Sequence, residues 1–273
     1  MDLLVTADWL AENLEREDIK VLDGTWVLPS DEPNLLSAYI PGAQIFDIDK
    51  VADLTSPMKH MLPPNDVFVQ AVSDMGIKPS DHVICYDRHG LFSSPRLWWT
   101  YMTFGHGKVS VLNGGLPAWI QAGHKTSLEP ETRKGTSSHY KTNSAIIPVM
   151  HKSCVMNAID DDIQIIDARP AGRFHGTSPE PREGLRSGRI PGSYSLPFGD
   201  LKTADGHLKP LAKLADRVGA VGIDLTKPII TSCGSGITAA GLAFVFHRLG
   251  ASDIRLYDGS WAEWGASEAP IEI

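Results

Sequence analysis

The chain has 273 residues, 42% of them hydrophobic, with a formal net charge of −8. That length accommodates one large domain or two of ordinary size, and the apolar share supports a core without disulfide staples. The acidic balance argues against a nucleic-acid binder, and the three cysteines, Cys85, Cys154 and Cys233, form no CxxC pair, which argues against a zinc site.

From the N-terminus, "MDLLVTADWLAENLERED" lacks the basic and apolar regions of a secretory signal. No apolar run approaches the roughly 18 residues that span a bilayer. Together with the odd, low cysteine count, which fits a reducing compartment, this predicts a soluble cytoplasmic protein that binds neither membrane nor nucleic acid. Next come "VLDGTW" at 21–26, "AYIPGAQIFDID" at 38–49, "MGIKPSDHVICYD" at 75–87 and "VSVLNGGLPAW" at 109–119. The polar, Ser- and Thr-rich "SLEPETRKGTSSHYKTNSA" then has the composition of a linker. Beyond it the four motifs return in the same order, roughly 145–150 residues later, as "IIDARP", "GRIPGSYSLPFGD", "VGIDLTKPIITSC" and "IRLYDGSWAEW". We read two copies of one domain, at 1–125 and 148–273, joined by a linker at 126–147.

Within each copy, short apolar runs such as "VICY" and "PIIT" predict buried strands, and "GITAAGLAFVFHRLG" predicts a helix stopped by Gly250. Small Ala239, Ala240 and Gly241 would let that helix lie close to a sheet. The alternation predicts an α/β fold, with a mostly parallel central sheet flanked by helices in each copy. Sites in such sheets lie at the carboxyl ends of strands, and Cys233 occupies one of them, opening "CGSGIT". A strand turning straight into a helix converges backbone N–H groups on one point, and Gly234 and Gly236 permit the turn and a close approach. A cysteine there is a candidate nucleophile. Cys85, inside its strand, and Cys154, with no glycine loop beside it, fit the role of small buried hydrophobes. The first copy carries Asp87 at the position of Cys233, so its loop is expected to be catalytically inactive.

These features resemble the rhodanese-type sulfurtransferases over nearly the whole chain, in particular the members with two tandem domains and a cysteine in the second only. "CGSGIT", "DLTSPMKHMLP" at 53–63 and "GRFHGTSPEPREG" at 172–184 are similar to the mercaptopyruvate-using branch; thiosulfate-using relatives carry Arg and Lys after the cysteine. The resemblance implies a Cys233 persulfide and a small-molecule donor, 3-mercaptopyruvate. It implies a thiol or cyanide acceptor, such as a thioredoxin-like protein, and no metal or organic cofactor. Arg173 and Arg182 would hold the donor's carboxylate and carbonyl, a guanidinium fork suiting a carboxylate placed away from the transferred sulfur. Gly234, Ser235, Gly236, Ile237 and Thr238 would supply amides to the outer sulfur. Asp53, His60 and Ser235 match a proton relay. Arg169, Arg186 and Arg189 read as ordinary loop cations. Lys59 departs from the family pattern without an evident consequence, and Ile237 replaces Val at nearly constant volume. Two rivals use the same loop: a thiosulfate sulfurtransferase, disfavoured by the neutral residues after the cysteine, and a non-enzymatic carrier or docking module, disfavoured by the two arginines. A cysteine phosphatase would need Arg six residues after the cysteine, where Ala239 stands.

Overall fold

Each half of the chain builds one sheet from its short apolar runs. The computed structural model describes residues 2–27, 37–132, 140–159 and 161–273. In chain order the first half forms β1 (Leu4–Val5), α1 (Ala7–Asn13), β2 (Ile19–Asp23), β3 (Gln44–Ile45), α2 (Asn65–Asp74), β4 (His82–Tyr86), α3 (Ser94–Thr103), β5 (Val109–Leu112) and α4 (Gly115–Gln121). The second half forms β6 (Val149–Met150), α5 (Lys152–Ala158), β7 (Gln164–Asp167), α6 (Ala171–Phe174) and β8 (Tyr194–Ser195). A 3-10 turn at Phe198–Leu201 follows, then α7 (Leu211–Ala220), β9 (Ile229–Ser232), α8 (Ile237–Arg248), β10 (Ile254–Tyr257) and α9 (Ser260–Trp264).

The strand orders are β1-β5-β4-β2-β3 and β6-β10-β9-β7-β8, one permutation used twice, with every pairing parallel. The sequence repeat is thus a repeat of topology. Central strands β4 and β9 are buried nearly throughout, which explains why they read as continuous apolar runs rather than alternating ones. Asp23 pairs with Tyr86, and Asp167 with Ser232, so adjacent strands end level. The next residues, Asp87 and Cys233, therefore emerge at the same edge of their respective sheets.

The chain divides into two compact units: Met1–Thr55, Leu62–Ile146 and Thr203–Leu208 in the first; Ser56–Met61, Ile147–Lys202 and Lys209–Ile273 in the second. The described parts of the polar connecting segment bond to first-unit residues. Ser127 exchanges backbone bonds with Tyr39, Asn143 N–H donates to the Phe104 carbonyl, and the Tyr140 hydroxyl lies 2.7 Å from His106 Nδ1. Residues 133–139 of that segment lie outside the described residues.

Helix α8 ends near its expected stop, with Gly250 in the left-handed region at φ 90°. Ala239 and Ala240 are fully buried, and the helix packs on β9 and β10. Gly241 corrects the sequence reading in one respect. Its close neighbour is the Phe198 ring of the 3-10 turn, which an added Cβ would meet at 2.5 Å, rather than the sheet. Cys85 is buried in β4, and desolvation pushes its thiol well up, as suits an inert core position. Cys154 is a second correction: it is exposed, because α5 buries only Val155 and Ala158.

Candidate active site

Cys233 follows β9 directly, and α8 starts after Gly236, which caps the helix at φ 81°. Only glycine adopts that angle without strain, and the turn aims successive amides at the sulfur. The Gly236 N–H donates to Cys233 Sγ at 3.1 Å and the Ser235 N–H at 3.4 Å. Cys233 is 2% exposed. Ile237 is buried as the first residue of α8; Ser235 and Thr238 are half-buried. Among the residues expected to offer amides to an outer sulfur, Ser235 and Gly236 already donate to Sγ itself.

A third group supports the loop from below. The Ser260 hydroxyl accepts from both Cys233 N–H and Gly236 N–H at 3.1 Å, donates to the Tyr257 carbonyl at 2.8 Å, and lies 4.0 Å from Sγ. Ser260 does this from φ 49°, an unfavourable angle for a residue with a Cβ. Beside it, the Trp261 N–H donates to the Cys233 carbonyl and the Ala262 N–H to the Gly234 carbonyl, both at 2.9 Å. The loop is therefore clamped by the N-terminal turn of α9.

The cationic side of the site comes from the segment after β7. Pro170 precedes α6, whose last turn carries Arg173, and the chain then returns through Glu180 and Arg182. Arg173 lies over the loop: a Cβ added to Gly234 would meet Arg173 Nη2 at 2.9 Å. Gly234, unlike Gly236, has no left-handed φ, so its requirement is room for the guanidinium rather than a special turn angle. Arg182 Nη1 reaches the Gly234 carbonyl at 3.5 Å and makes no ion pair among the described residues.

Arg169, read from sequence as a loop cation, is instead fully buried. It donates to Asp167 and to the Gly188 carbonyl, pairs with Glu180 Oε1 at 2.7 Å, and stacks on the Trp261 ring at 4.1 Å. Arg186 also turns inward, donating to the carbonyls of Trp264, Gly265 and Ala269. Arg189 keeps a more exposed pairing with Glu272. Sequence reasoning missed Ser260, Trp261, Glu180 and the burial of Arg169. The signals were present in "DARP" and "DGSW" at the ends of β7 and β10, where the first copy has "DGTW" and "NGGL".

His60 belongs to the Ser56–Met61 segment of the second unit, is 3% exposed and takes φ 59°. Asp53 belongs to the first unit, where its Oδ1 accepts from the Thr55 N–H at 2.9 Å and the Thr55 hydroxyl at 2.6 Å. No cluster of metal-ligating side chains occurs among the described residues, and no helix there is long and apolar enough to cross a membrane.

The first unit holds the counterpart of this loop. Asp87 follows β4, is fully buried, and accepts at Oδ2 from the N–H groups of Phe92, Ser93 and Ser94, and at Oδ1 from that of His89. The Leu116 N–H donates to the Asp87 carbonyl at 2.9 Å, matching Trp261 and Cys233.

Comparison with known proteins agrees with this repeated architecture. The rhodanese-like domain matches twice, at residues 6–122 and 152–267. The 3-mercaptopyruvate sulfurtransferase of Escherichia coli is 39% identical over 98% of this chain and 97% of its own length. The Arabidopsis thaliana protein named thiosulfate/3-mercaptopyruvate sulfurtransferase 1, mitochondrial, is 38% identical over 98% of this chain and 78% of its own. The crystal structure of an Escherichia coli 3-mercaptopyruvate sulfotransferase superposes with a TM-score of 0.84 at 37% identity, covering 96% of this chain and 99% of the other.

Proposed function

Because this chain belongs to the rhodanese family, we propose that it is a sulfurtransferase that moves sulfur from 3-mercaptopyruvate through a Cys233 persulfide to a thiol or cyanide. The observation that carries this reading is the placement of Cys233 Sγ. It sits under the Ser235 and Gly236 amides at a helix start, and Arg173 and Arg182 reach the next residue, Gly234.

The two amides and the N-terminus of α8 face the sulfur. Sγ attacks the donor's sulfur; an S–S bond forms, the C–S bond breaks, and the electron pair leaves as the enolate of pyruvate, which takes up a proton. Arg173 and Arg182 orient the carboxylate and carbonyl, and their N–H groups stabilise the developing enolate oxygen by hydrogen bonding. The amides of residues 234–238 receive the outer sulfur. An acceptor thiolate or cyanide then attacks that sulfur and Cys233 is released, a double displacement that draws on no resident cofactor. Buried His60, with Ser235, is assigned proton transfer to the enolate. The assignment of Asp53 to the same relay rests on its place in the 53–63 motif.

The repeat bounds 1–125 and 148–273 find support in the two family matches at 6–122 and 152–267, and an inactive first copy in Asp87 filling its own loop. A cytoplasmic setting is inferred from the low, odd cysteine count, which fits a reducing compartment, and a thioredoxin-like acceptor from the family resemblance. Thiosulfate is the second donor to weigh, since it figures in the name of the Arabidopsis relative. The test is a donor panel with cyanide as common acceptor. Mercaptopyruvate should be used far better than thiosulfate; equal use, or a preference for thiosulfate, contradicts the substrate reading.

A further inference from the structure

Resting on the mercaptopyruvate reading, we propose that Glu180 sets which donor charge this site accepts. It acts as a positioning residue that locks Arg173 over the loop and cancels its charge, so that a monoanion is recognised in preference to a dianion.

Glu180 is the shared partner of two arginines. Oε1 takes Arg169 Nη1 at 2.7 Å, and Oε2 takes Arg173 Nε at 3.1 Å and Nη2 at 2.5 Å. Its side chain is 2% exposed, so these bonds are shielded from competing water and salt. Arg169 cannot move to follow a donor: it is fully buried, tied to Asp167 and Gly188, and stacked on Trp261, whose N–H holds the Cys233 carbonyl. Glu180 thus transmits the position of that fixed platform to Arg173. With two of its nitrogens committed, Arg173 is held in one rotamer, Nη2 facing the space that a Cβ on Gly234 would fill.

The charges in this cluster balance: Asp167 and Glu180 against Arg169 and Arg173. Arg173 therefore offers directional N–H groups but little net field. Arg182, without an ion pair among the described residues, supplies the uncompensated positive charge. One such charge matches a carboxylate monoanion, whereas a compact dianion would carry one charge more than the site compensates. The neutral residues Gly234 and Ser235 act in the same direction as Glu180, keeping uncompensated cations out of the loop.

The experiment measures kcat and KM for 3-mercaptopyruvate and thiosulfate, with cyanide as acceptor, in the full chain and in Glu180→Gln, Glu180→Asp, Arg173→Gln and the Glu180→Gln/Arg173→Gln pair. Removing the charge at constant shape should shift the kcat/KM ratio towards thiosulfate by about tenfold or more, mainly through donor KM. Glu180→Asp keeps the charge but cannot reach both arginines. It should hold the donor ratio within about twofold while lowering efficiency with both donors about tenfold. In the Arg173→Gln background, Glu180→Gln should leave the ratio unmoved. A folded Glu180→Gln with the wild-type ratio overturns the proposal. Should that variant fail to fold, Glu180→Asp decides: full efficiency, or a moved ratio, overturns it equally. A wild type that prefers thiosulfate sinks the substrate reading instead, and that outcome is separate from any shift between variants.

Discussion

The loops after β4 and β9 start from the same backbone and end with different occupants. Each follows a central strand, each leads into a buried helix, and each has its first carbonyl held at 2.9 Å by the N–H of an equivalent residue, Leu116 or Trp261. In the first, four N–H groups converge on the Asp87 carboxylate. In the second, two converge on Cys233 Sγ. The first loop is longer, running to Ser93 before its helix, and curls around its own anion; the second runs only to Gly236. A carboxyl group that fills its own loop makes a structural cap, whereas a sulfur that can gain and lose a second sulfur makes a carrier. The sequence reading took Asp87 only as the absence of a nucleophile; its hydrogen bonds give it a structural role of its own.

The comparison predicts very unequal responses to matched substitutions. The largest is at Cys233. Cys233→Ser should abolish pyruvate release, because a hydroxyl is a far weaker nucleophile, whereas Cys85→Ser and Cys154→Ser should retain most of it. Near wild-type turnover in Cys233→Ser would remove the nucleophile from the account. Asp87→Asn should instead leave the chemistry in place and cost about 2–3 kcal/mol of stability, since an amide cannot accept from all four buried N–H groups. Denaturant unfolding checks this, and an unchanged midpoint would mean that the first cradle does not depend on its anion.

Arg182→Lys should lower kcat/KM for mercaptopyruvate by about 1–3 kcal/mol of transition-state stabilisation although charge is kept, because the planar fork is lost. Unchanged efficiency would make Arg182 a bystander. Smaller again is the contrast at Ser260, whose first-copy counterpart is Gly115 at φ 56°. Ser260→Ala should destabilise by about 1 kcal/mol more than Ser260→Gly, as alanine loses the hydroxyl and keeps the strained angle. Equal melting of the two variants would show that the angle costs little.

The smallest expected effect concerns acid. Burial lowers the pKa of His82 and His106 in the first unit below the ordinary 6.5. A depressed histidine takes up its proton more readily when unfolded, so stability is full above about 6.5 and declines as pH falls through that value. His106→Gln should flatten part of this decline in a pH series of urea melts; an identical slope would exclude His106 as a contributor.

The sequence carried the tandem architecture, the parallel α/β class and the glycine loop after β9, because each is written locally: apolar runs, a glycine after a strand, a motif that returns. It did not carry what depends on distant partners. Arg169 looks like any loop cation until Asp167, Glu180 and Trp261 are seen to enclose it. Ser260 looks like a helix start until its hydroxyl is found between two amides. Cys154 was misread because its exposure depends on which face a short helix turns to the core. Gly234 was read as a turn residue, whereas a guanidinium from another segment sets its size limit.

The most direct measurement is intact-protein mass spectrometry with peptide mapping, after exposure to 3-mercaptopyruvate and again after a thiol acceptor. The account predicts one added sulfur, mapped to Cys233 and lost on adding the thiol, with Cys85 and exposed Cys154 unmodified. Sulfur on either of those cysteines instead, or no adduct while pyruvate is still released, would contradict it.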